Sequence, residues 1–344
     1  MQSGFWRKGR YKSMFRIVIL GTGFIGSSHA KAIRNIDGVK LAAIVEMDEA
    51  RGRKAAQEAG CTWYPSFEQM VANESPDLVI VALPTFLHEK YVIRAAQAKI
   101  NVLCEKPVTL SLDSFDRMAQ ACRLNGVYFM VAQAVRWWPE FVQVKNMLHE
   151  DKIGRLRMIY ETRLAQHPNW SSWHTDPKKS GGGLYDLHIH DIDYLYSLFG
   201  MPKSVYAVGF KSESGCWNHV ASNLKWKNGL KAVCEASMDM KGGHPFTIEL
   251  RVCGDKGTLD YRFVAGFNIK DGNQAANLMY YPEDGEPARM DVPQPDPFEE
   301  EVRAYVSAIR RKTEAPIPVC ESRNVLEIVS GIEQSLETGK IITF

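Results

Sequence analysis

The hydrophobic and polar positions follow two different codes, and the change comes near residue 136. From Met14 onward, short unbroken apolar runs alternate with segments of helical periodicity. The runs are "RIVIL" (16–20), "VKLAAIV" (39–45), "DLVIVAL" (77–83), "INVLCEKP" (100–107) and "VYFMVAQ" (127–133). Apolar at successive positions, they predict strands covered on both faces. Between them "SSHAKAIRNID", "HEKYVIRAAQA" and "SLDSFDRMAQACRLNG" read as helices, the last closed by Gly126. Strands and helices in strict alternation predict a doubly wound parallel sheet over residues 14–135. Ligands of such sheets sit at the carboxyl ends of the strands.

After "RWWP" (136–139) and the helix-like "EFVQVKNMLHE", the apolar residues take every second position instead. "RLRMIYETRLA" (155–165), "SVYAVGF", "HVASNLKW", "LKAVCEASMDM", "FTIELRVCG" and "TLDYRF" follow one another, several separated by turns such as "KNG" and "GDKG". This predicts an antiparallel sheet with one face on a core, within a second domain over residues 136–344. "PEDGEPARMDVPQPDP" (282–297) reads as a loop. The helical stretch "NVLEIVSGIEQSLETG" is expected to return toward the first domain.

Bulk properties narrow the function only by exclusion. The 344 residues are 45% hydrophobic and 24% charged, with a formal net charge of +2. Charge therefore argues for neither a nucleic-acid nor a membrane partner. No apolar run approaches the roughly 18 residues of a membrane span. Seven scattered cysteines without a CxxC fit a reducing, cytoplasmic setting. Residues 1–13, "MQSGFWRKGRYKS", are basic, without an apolar h-region after them, and read as a tail outside the fold.

Candidate chemistry begins directly after the first strand. "GTGFIG" (21–26) sets Gly21, Gly23 and Gly26 in GxGxxG spacing before a helix. Gly21 permits a tight turn, Gly23 leaves room for a pyrophosphate, and Gly26 lets the helix approach the strand. The helix N-terminus offers free N–H groups to phosphate. Glu46 ends the second strand, where a carboxylate binds ribose hydroxyls and repels a 2′-phosphate, so NAD is the expected cofactor. Arg51 and Arg53 lie nearby and keep NADP open, although solvated positions on the next helix are the simpler reading for both. Lys106 falls at a strand end beside Pro107. There it either stabilises negative charge on a substrate oxygen or is simply a polar strand end.

The segment "GGGLYDLHIHDIDYL" (181–195) packs three aspartates and two histidines together. On a helix turning about 100° per residue, with Asp186 at 0°, His190 falls near 40° and Asp193 near −20°. His188 and Asp191 fall within the apolar stripe. The five side chains therefore do not converge, which weakens a metal-box reading. His188 and Asp191 are expected to form a structural pair or to contact neighbouring backbone. Asp193 is open between a supporting and a solvated role. "QHPNWSSWHTDPKKS" (166–180) carries His167, Trp170, Trp173 and His174, and its tryptophans either line a sugar pocket or anchor the loop.

"GTGFIG" (21–26), "LPTFLH" (83–88), "CEKP" (104–107), "AQAVRWWP" (132–139) and "GGGLYDLHIHDID" (181–193) occur in an order that resembles the Gfo/Idh/MocA family of NAD(P)-dependent oxidoreductases, which includes glucose–fructose oxidoreductase and inositol dehydrogenase. The resemblance implies a Rossmann domain followed by an α/β domain with a large, open, mostly antiparallel sheet. It implies reversible hydride transfer with a hydroxyl or carbonyl of a sugar, cyclitol or related molecule. Lys106, Asp186 and His190 would form the catalytic group. Thr22, Phe24, Ile25, Leu83, Pro84, His88, Glu105 and Lys106 would join the glycines and Glu46 around the dinucleotide. Arg136 and Arg163 become pocket candidates, with structural ion pairing the alternative for each. The resemblance also implies a homodimer or homotetramer through the second sheet, and a cis peptide before Pro107 as in some relatives. In this reading His190 accepts the hydroxyl proton and Asp186 orients its imidazole. Competing readings are a non-catalytic dinucleotide- and sugar-binding sensor and a metal-dependent hydrolase or lyase.

Overall fold

The computed structural model describes residues 14–168, 173–266 and 275–344. The first unit is a six-stranded parallel sheet. Its strands are β1 (Phe15–Leu20), β2 (Val39–Val45), β3 (Thr62–Tyr64), β4 (Leu78–Val81), β5 (Asn101–Cys104) and β6 (Phe129–Val131), in the order β3-β2-β1-β4-β5-β6. All five pairings are parallel. The unbroken apolar runs are buried on both faces: β4 has no exposed position. The strand order reverses between β1 and β4. That crevice receives the glycine turn after β1 and the segment after β5 at the same sheet edge.

The second unit is a nine-stranded sheet. It comprises β7 (Leu156–Leu164), β8 (Ser204–Lys211), β9 (Trp217–Lys225), β10 (Lys231–Ser237), β11 (Thr247–Gly254), β12 (Gly257–Val264), β13 (Ala275–Pro282), β14 (Ala288–Arg289) and β15 (Ile342–Thr343). The order is β14-β13-β12-β11-β7-β10-β9-β8-β15. Only the β7–β10 pairing at its centre is parallel. Alternation shows in the burial: Val205 and Ala207 of β8 face inward, while Tyr206, Val208 and Phe210 are exposed on the opposite face. Helices Pro139–His149, Ile189–Phe199 and Val319–Thr338 cover the inner face. Phe141 packs edge-on against both Tyr194 and Tyr261 there.

The chain recrosses between the units. Helix Pro297–Arg311, for which the pattern reading had no element, buries Val302, Tyr305 and Val306 among β1, β4 and β6 residues. Tyr305 donates to the Val131 carbonyl at 2.8 Å. Helix Val319–Thr338 lies across the inner sheet face, and its Arg323 pairs with Asp116 of the first unit. A division of the chain at residue 135 is thus a division in sequence more than in space. All seven cysteines carry free thiols. Among the described residues no helix is long and apolar enough to cross a membrane.

Candidate active site

The glycine turn has the stereochemistry its spacing predicts. Gly21 sits at φ +94°, where a Cβ would lie 2.5 Å from the Ala82 carbonyl oxygen. A Cβ on Gly26 would lie 2.2 Å from the Gly21 carbonyl oxygen, so helix Phe24–Ile33 packs directly on the turn. Gly23 differs: a Cβ there meets no protein atom within 4 Å. It is the N-cap of that helix and carries no side chain to cap it. Open space at a helix N-terminus is a cradle suited to a pyrophosphate.

Glu46 closes the other end of this crevice. One carboxylate oxygen accepts from the Thr22 hydroxyl at 2.6 Å and the Thr22 N–H at 3.2 Å. The other accepts from the Asp48 N–H at 3.1 Å and the Arg51 guanidinium at 2.7 Å. Burial works to raise this carboxyl, but the hydrogen bonds from Arg51 and Thr22 outweigh it and hold it below its ordinary value. Arg51 is therefore not simply solvated; it caps Glu46 while staying 60% exposed. Arg53 stacks on Trp63 at 4.5 Å and pairs with Glu49.

Lys106 follows β5, and the Lys106–Pro107 peptide is cis. Its ammonium donates to the carboxylate and to the backbone carbonyl of Asp186, both at 2.8 Å. Eighty residues apart in sequence, the two motifs meet in one ion pair. Burial would raise the Asp186 carboxyl; the charges of Lys106 and then His174 reverse this and hold it below its ordinary value.

The cluster 181–195 divides as the helical angles predict, with three differences of detail. Asp186 and His190 are partly exposed, whereas His188, Asp191 and Asp193 are buried at 1% exposure or less. The first difference is the helix itself. Leu184–His188 forms a π turn, and the α-helix starts only at Ile189. A π turn advances less than 100° per residue, which brings Asp186 and His190 closer to alignment. Second, His188 and Asp191 do not pair with each other or with backbone. His188 bonds the Ser222 hydroxyl at 2.8 Å, and Asp191 takes both Nε and Nη2 of Arg163. Third, Asp193, which its angle sets beside Asp186, is buried at 0% exposure. A Cβ on Gly182 would lie 2.7 Å from Cys216 and 2.8 Å from Asn218, so the small residues let the helix start pack on β9.

The expected Asp186–His190 couple is replaced by Asp186–Lys106. Burial, then the positive charges of Lys106 and Arg163, push His190 well below the usual histidine range, so its imidazole is neutral. Its Nδ1 is buried without a hydrogen-bond partner. An unperturbed titration near neutrality is thus the wrong picture for this ring.

The remaining candidates separate. Arg163 is 2% exposed and held by Asp191, which places it inside the sheet–helix interface rather than on a pocket wall. Arg136 grips Asp193 with two bonds of 2.8 and 2.7 Å and reaches Glu321, so Asp193 is a buried ion-pair partner. His88 is 1% exposed; it brackets the Leu83 carbonyl at 2.7 Å against the Pro107 and Val108 carbonyls and does not reach the crevice surface. His167 is half-buried, with Nδ1 on the Pro168 carbonyl. Trp170 lies outside the described residues. Trp173 stacks on His174 at 3.9 Å and takes the edge of Phe86 from the first unit at 6.3 Å.

His174, to which the sequence reading assigns no role of its own, joins the site in the fold. The charges of Asp186 and Lys106 both act on its ring, and burial is the larger influence and lowers its affinity for a proton. Its carbonyl accepts from the Ser180 hydroxyl at 2.9 Å, which ties the loop to the start of the glycine run. Nothing in the sequence separates it from His167 in the same loop; only the tertiary fold sets it beside Lys106. Among the described residues no group of His, Cys, Asp and Glu is arranged to hold a metal ion.

Comparison with known proteins places the fold in a family. Residues 15–133 match the "Oxidoreductase family, NAD-binding Rossmann fold" model, and residues 141–260 match the "GFO/IDH/MocA C-terminal domain". A 2,7-anhydro-N-acetylneuraminate hydratase of Mediterraneibacter gnavus is 32% identical over 56% of this chain and 51% of its own length. The chain thus spans about half the length of that relative. D-xylose 1-dehydrogenase (NADP(+)) 2 of Haloferax volcanii is 29% identical over 94% of this chain and 98% of its own. Among solved structures, aldose-aldose oxidoreductase from Caulobacter crescentus superposes with a TM-score of 0.84 at 20% identity, covering 96% of this chain and 100% of the other. With both units matched in order by the two models of one family, the chain belongs to the GFO/IDH/MocA oxidoreductases.

Proposed function

We propose that the protein is an NAD(P)-dependent dehydrogenase or reductase acting on a secondary hydroxyl or carbonyl of a sugar, cyclitol or related small molecule. The observation that carries this reading is the Lys106–Asp186 pair, set at the carboxyl edge of the parallel sheet beside an open glycine turn. The bound nicotinamide supplies the hydride chemistry. Gly23 and the helix N-terminus would hold its pyrophosphate, and Glu46, Thr22 and Arg51 would meet the adenosine ribose.

Lys106 donates a hydrogen bond to the reacting oxygen and stabilises the negative charge that forms there. Asp186 fixes the direction of that ammonium through its carboxylate and its carbonyl. His190, held neutral, is in the protonation state that accepts a hydroxyl proton, and its suppressed basicity favours passing that proton on. Trp173 and Phe86 offer apolar faces for a sugar ring. Xylose and levoglucosan dehydrogenases among the relatives and structural neighbours support the carbohydrate reading.

NAD is the preferred cofactor. Glu46 excludes extra negative charge, while Arg51 at its outer edge is the residue through which NADP would be admitted. The free thiols support a cytoplasmic setting. Tyr160, Tyr206, Val208, Phe210 and Tyr281, exposed on the outer face of the nine-stranded sheet, support a homodimer or homotetramer built through that face.

Gly23→Ala tests the cofactor assignment without disturbing the fold. The new methyl meets no protein atom, and the backbone there (φ −64°, ψ −172°) suits alanine. The expected stability change is within about 1 kcal/mol, the scale of an N-cap replacement. Binding of NADH, followed by its fluorescence, is expected to weaken about 100-fold, because the methyl occupies the pyrophosphate's space. Unchanged affinity would remove the dinucleotide from this turn.

A further inference from the structure

Three residues after Gly26, helix Phe24–Ile33 turns a fully buried histidine inward. His29 is 0% exposed, and its Nε2 lies 2.6 Å from Oε1 of Glu105. Glu105 is 6% exposed and directly precedes Lys106. Its second oxygen accepts the Lys106 backbone N–H at 3.2 Å, and its own N–H continues the sheet ladder to the Val81 carbonyl at 3.0 Å. The edge of Phe298 closes the far side of the imidazole at 5.3 Å. One carboxylate therefore joins the helix of the glycine turn to the peptide that carries the lysine.

Filling this space does not require polar groups. Two buried polar side chains are a poor device for stability, since an apolar pair of similar volume packs at least as well. What the pair does that an apolar pair does not is fix a direction. The carboxylate accepts only, so Nε2 donates, and the plane of Glu105 is pinned from both ends. The Lys106 peptide is set by that plane, and the ammonium meets two separate Asp186 oxygens only from one backbone position.

We propose that His29 is a positioning residue: through Glu105 it holds Lys106 in register with Asp186. The inference rests on the reading of Lys106 as the group that meets the reacting oxygen, but its test needs no substrate. The accessibility of the Lys106 amine is read as its rate of reductive methylation by formaldehyde and a borane reductant, quantified by mass spectrometry. In the parent the amine is bound to Asp186, with its side chain 13% exposed, and is expected to react slowly. H29F keeps the volume and the Phe298 contact but loses the donor. Its Lys106 is expected to react about tenfold faster, the scale of one charge-assisted hydrogen bond lost. H29Q, whose amide nitrogen takes the place of Nε2, is expected to react like the parent.

Should H29F not fold, H29N against H29Q makes the same comparison, because the shorter amide falls short of Glu105. Fast methylation in H29N with parent-like methylation in H29Q supports the proposal. Equal rates in the parent and the donor-less variant overturn it. So does equal acceleration in H29Q, which would mark general loosening of the core. Whether any polyol reduces the dinucleotide does not enter this readout, so failure of the hydride-transfer reading and failure of the positioning role are told apart.

Discussion

Lys106→Met is expected to lower turnover by about 10³-fold while leaving NADH binding intact. Methionine keeps most of the side-chain length and volume in a partly buried place. What disappears is the ammonium that bonds both the carboxylate and the carbonyl of Asp186. Two losses then combine. The reacting oxygen has no cationic donor, and Asp186 loses the influence that holds its carboxyl below the ordinary range. Because the glycine turn and Glu46 lie on other strands, NADH fluorescence titration should report the parent affinity. Turnover within tenfold of the parent would remove Lys106 from the chemistry. Lost turnover together with lost NADH binding would make it a structural residue of the cofactor site.

Arg163→Leu is expected to give the largest loss of stability, about 3–5 kcal/mol, the cost of removing one partner of a buried ion pair. Arg163 and Asp191 are 3% and 2% exposed at their side chains and join β7 to the helix that carries His190. Glu161, two residues earlier on the same face, is already pushed up by burial and by the charge of Asp191. Removing the guanidinium leaves Asp191 with neither its cation nor a path to water. The double variant Arg163→Leu with Asp191→Leu should recover most of the loss, since it removes both charges together. Urea unfolding of the three proteins checks this. A single variant within 1 kcal/mol of the parent would show that water reaches the pair.

How much of this was legible in the chain depends on the range of the interactions. Five strands of the parallel sheet were legible because each is an apolar run covered on both faces, and the glycine spacing reports a local backbone requirement; the short, partly exposed edge strand β3 was not. The split of 181–195 into two faces was legible because a helix carries its own angular rule. The π turn over Leu184–His188 was not, since no local signal distinguishes it from the α-helix that follows. Helix Pro297–Arg311 went unread, although its amphipathic pattern and the Asp296 cap lie in plain view just past a proline-rich loop. The roles of Arg163, Asp193 and His174 were beyond local reading for a different reason. Each is decided by a partner from another element: Asp191 on a helix, Arg136 at the end of the first sheet, and the Lys106–Asp186 pair. Sequence spacing ranks residue types at a position. It does not say which of two arginines meets solvent.

The central claim is that this site moves a hydride between nicotinamide and a secondary alcohol. The most direct measurement incubates the purified protein with NAD and, separately, NADP against a panel of sugars, sugar acids and cyclitols, and follows nicotinamide absorbance. The account predicts that at least one member reduces the dinucleotide, and that Lys106→Met abolishes the signal with that same compound. Dinucleotide that binds tightly but is reduced by no member of the panel would contradict it and favour a sensor that uses the same pocket only for recognition.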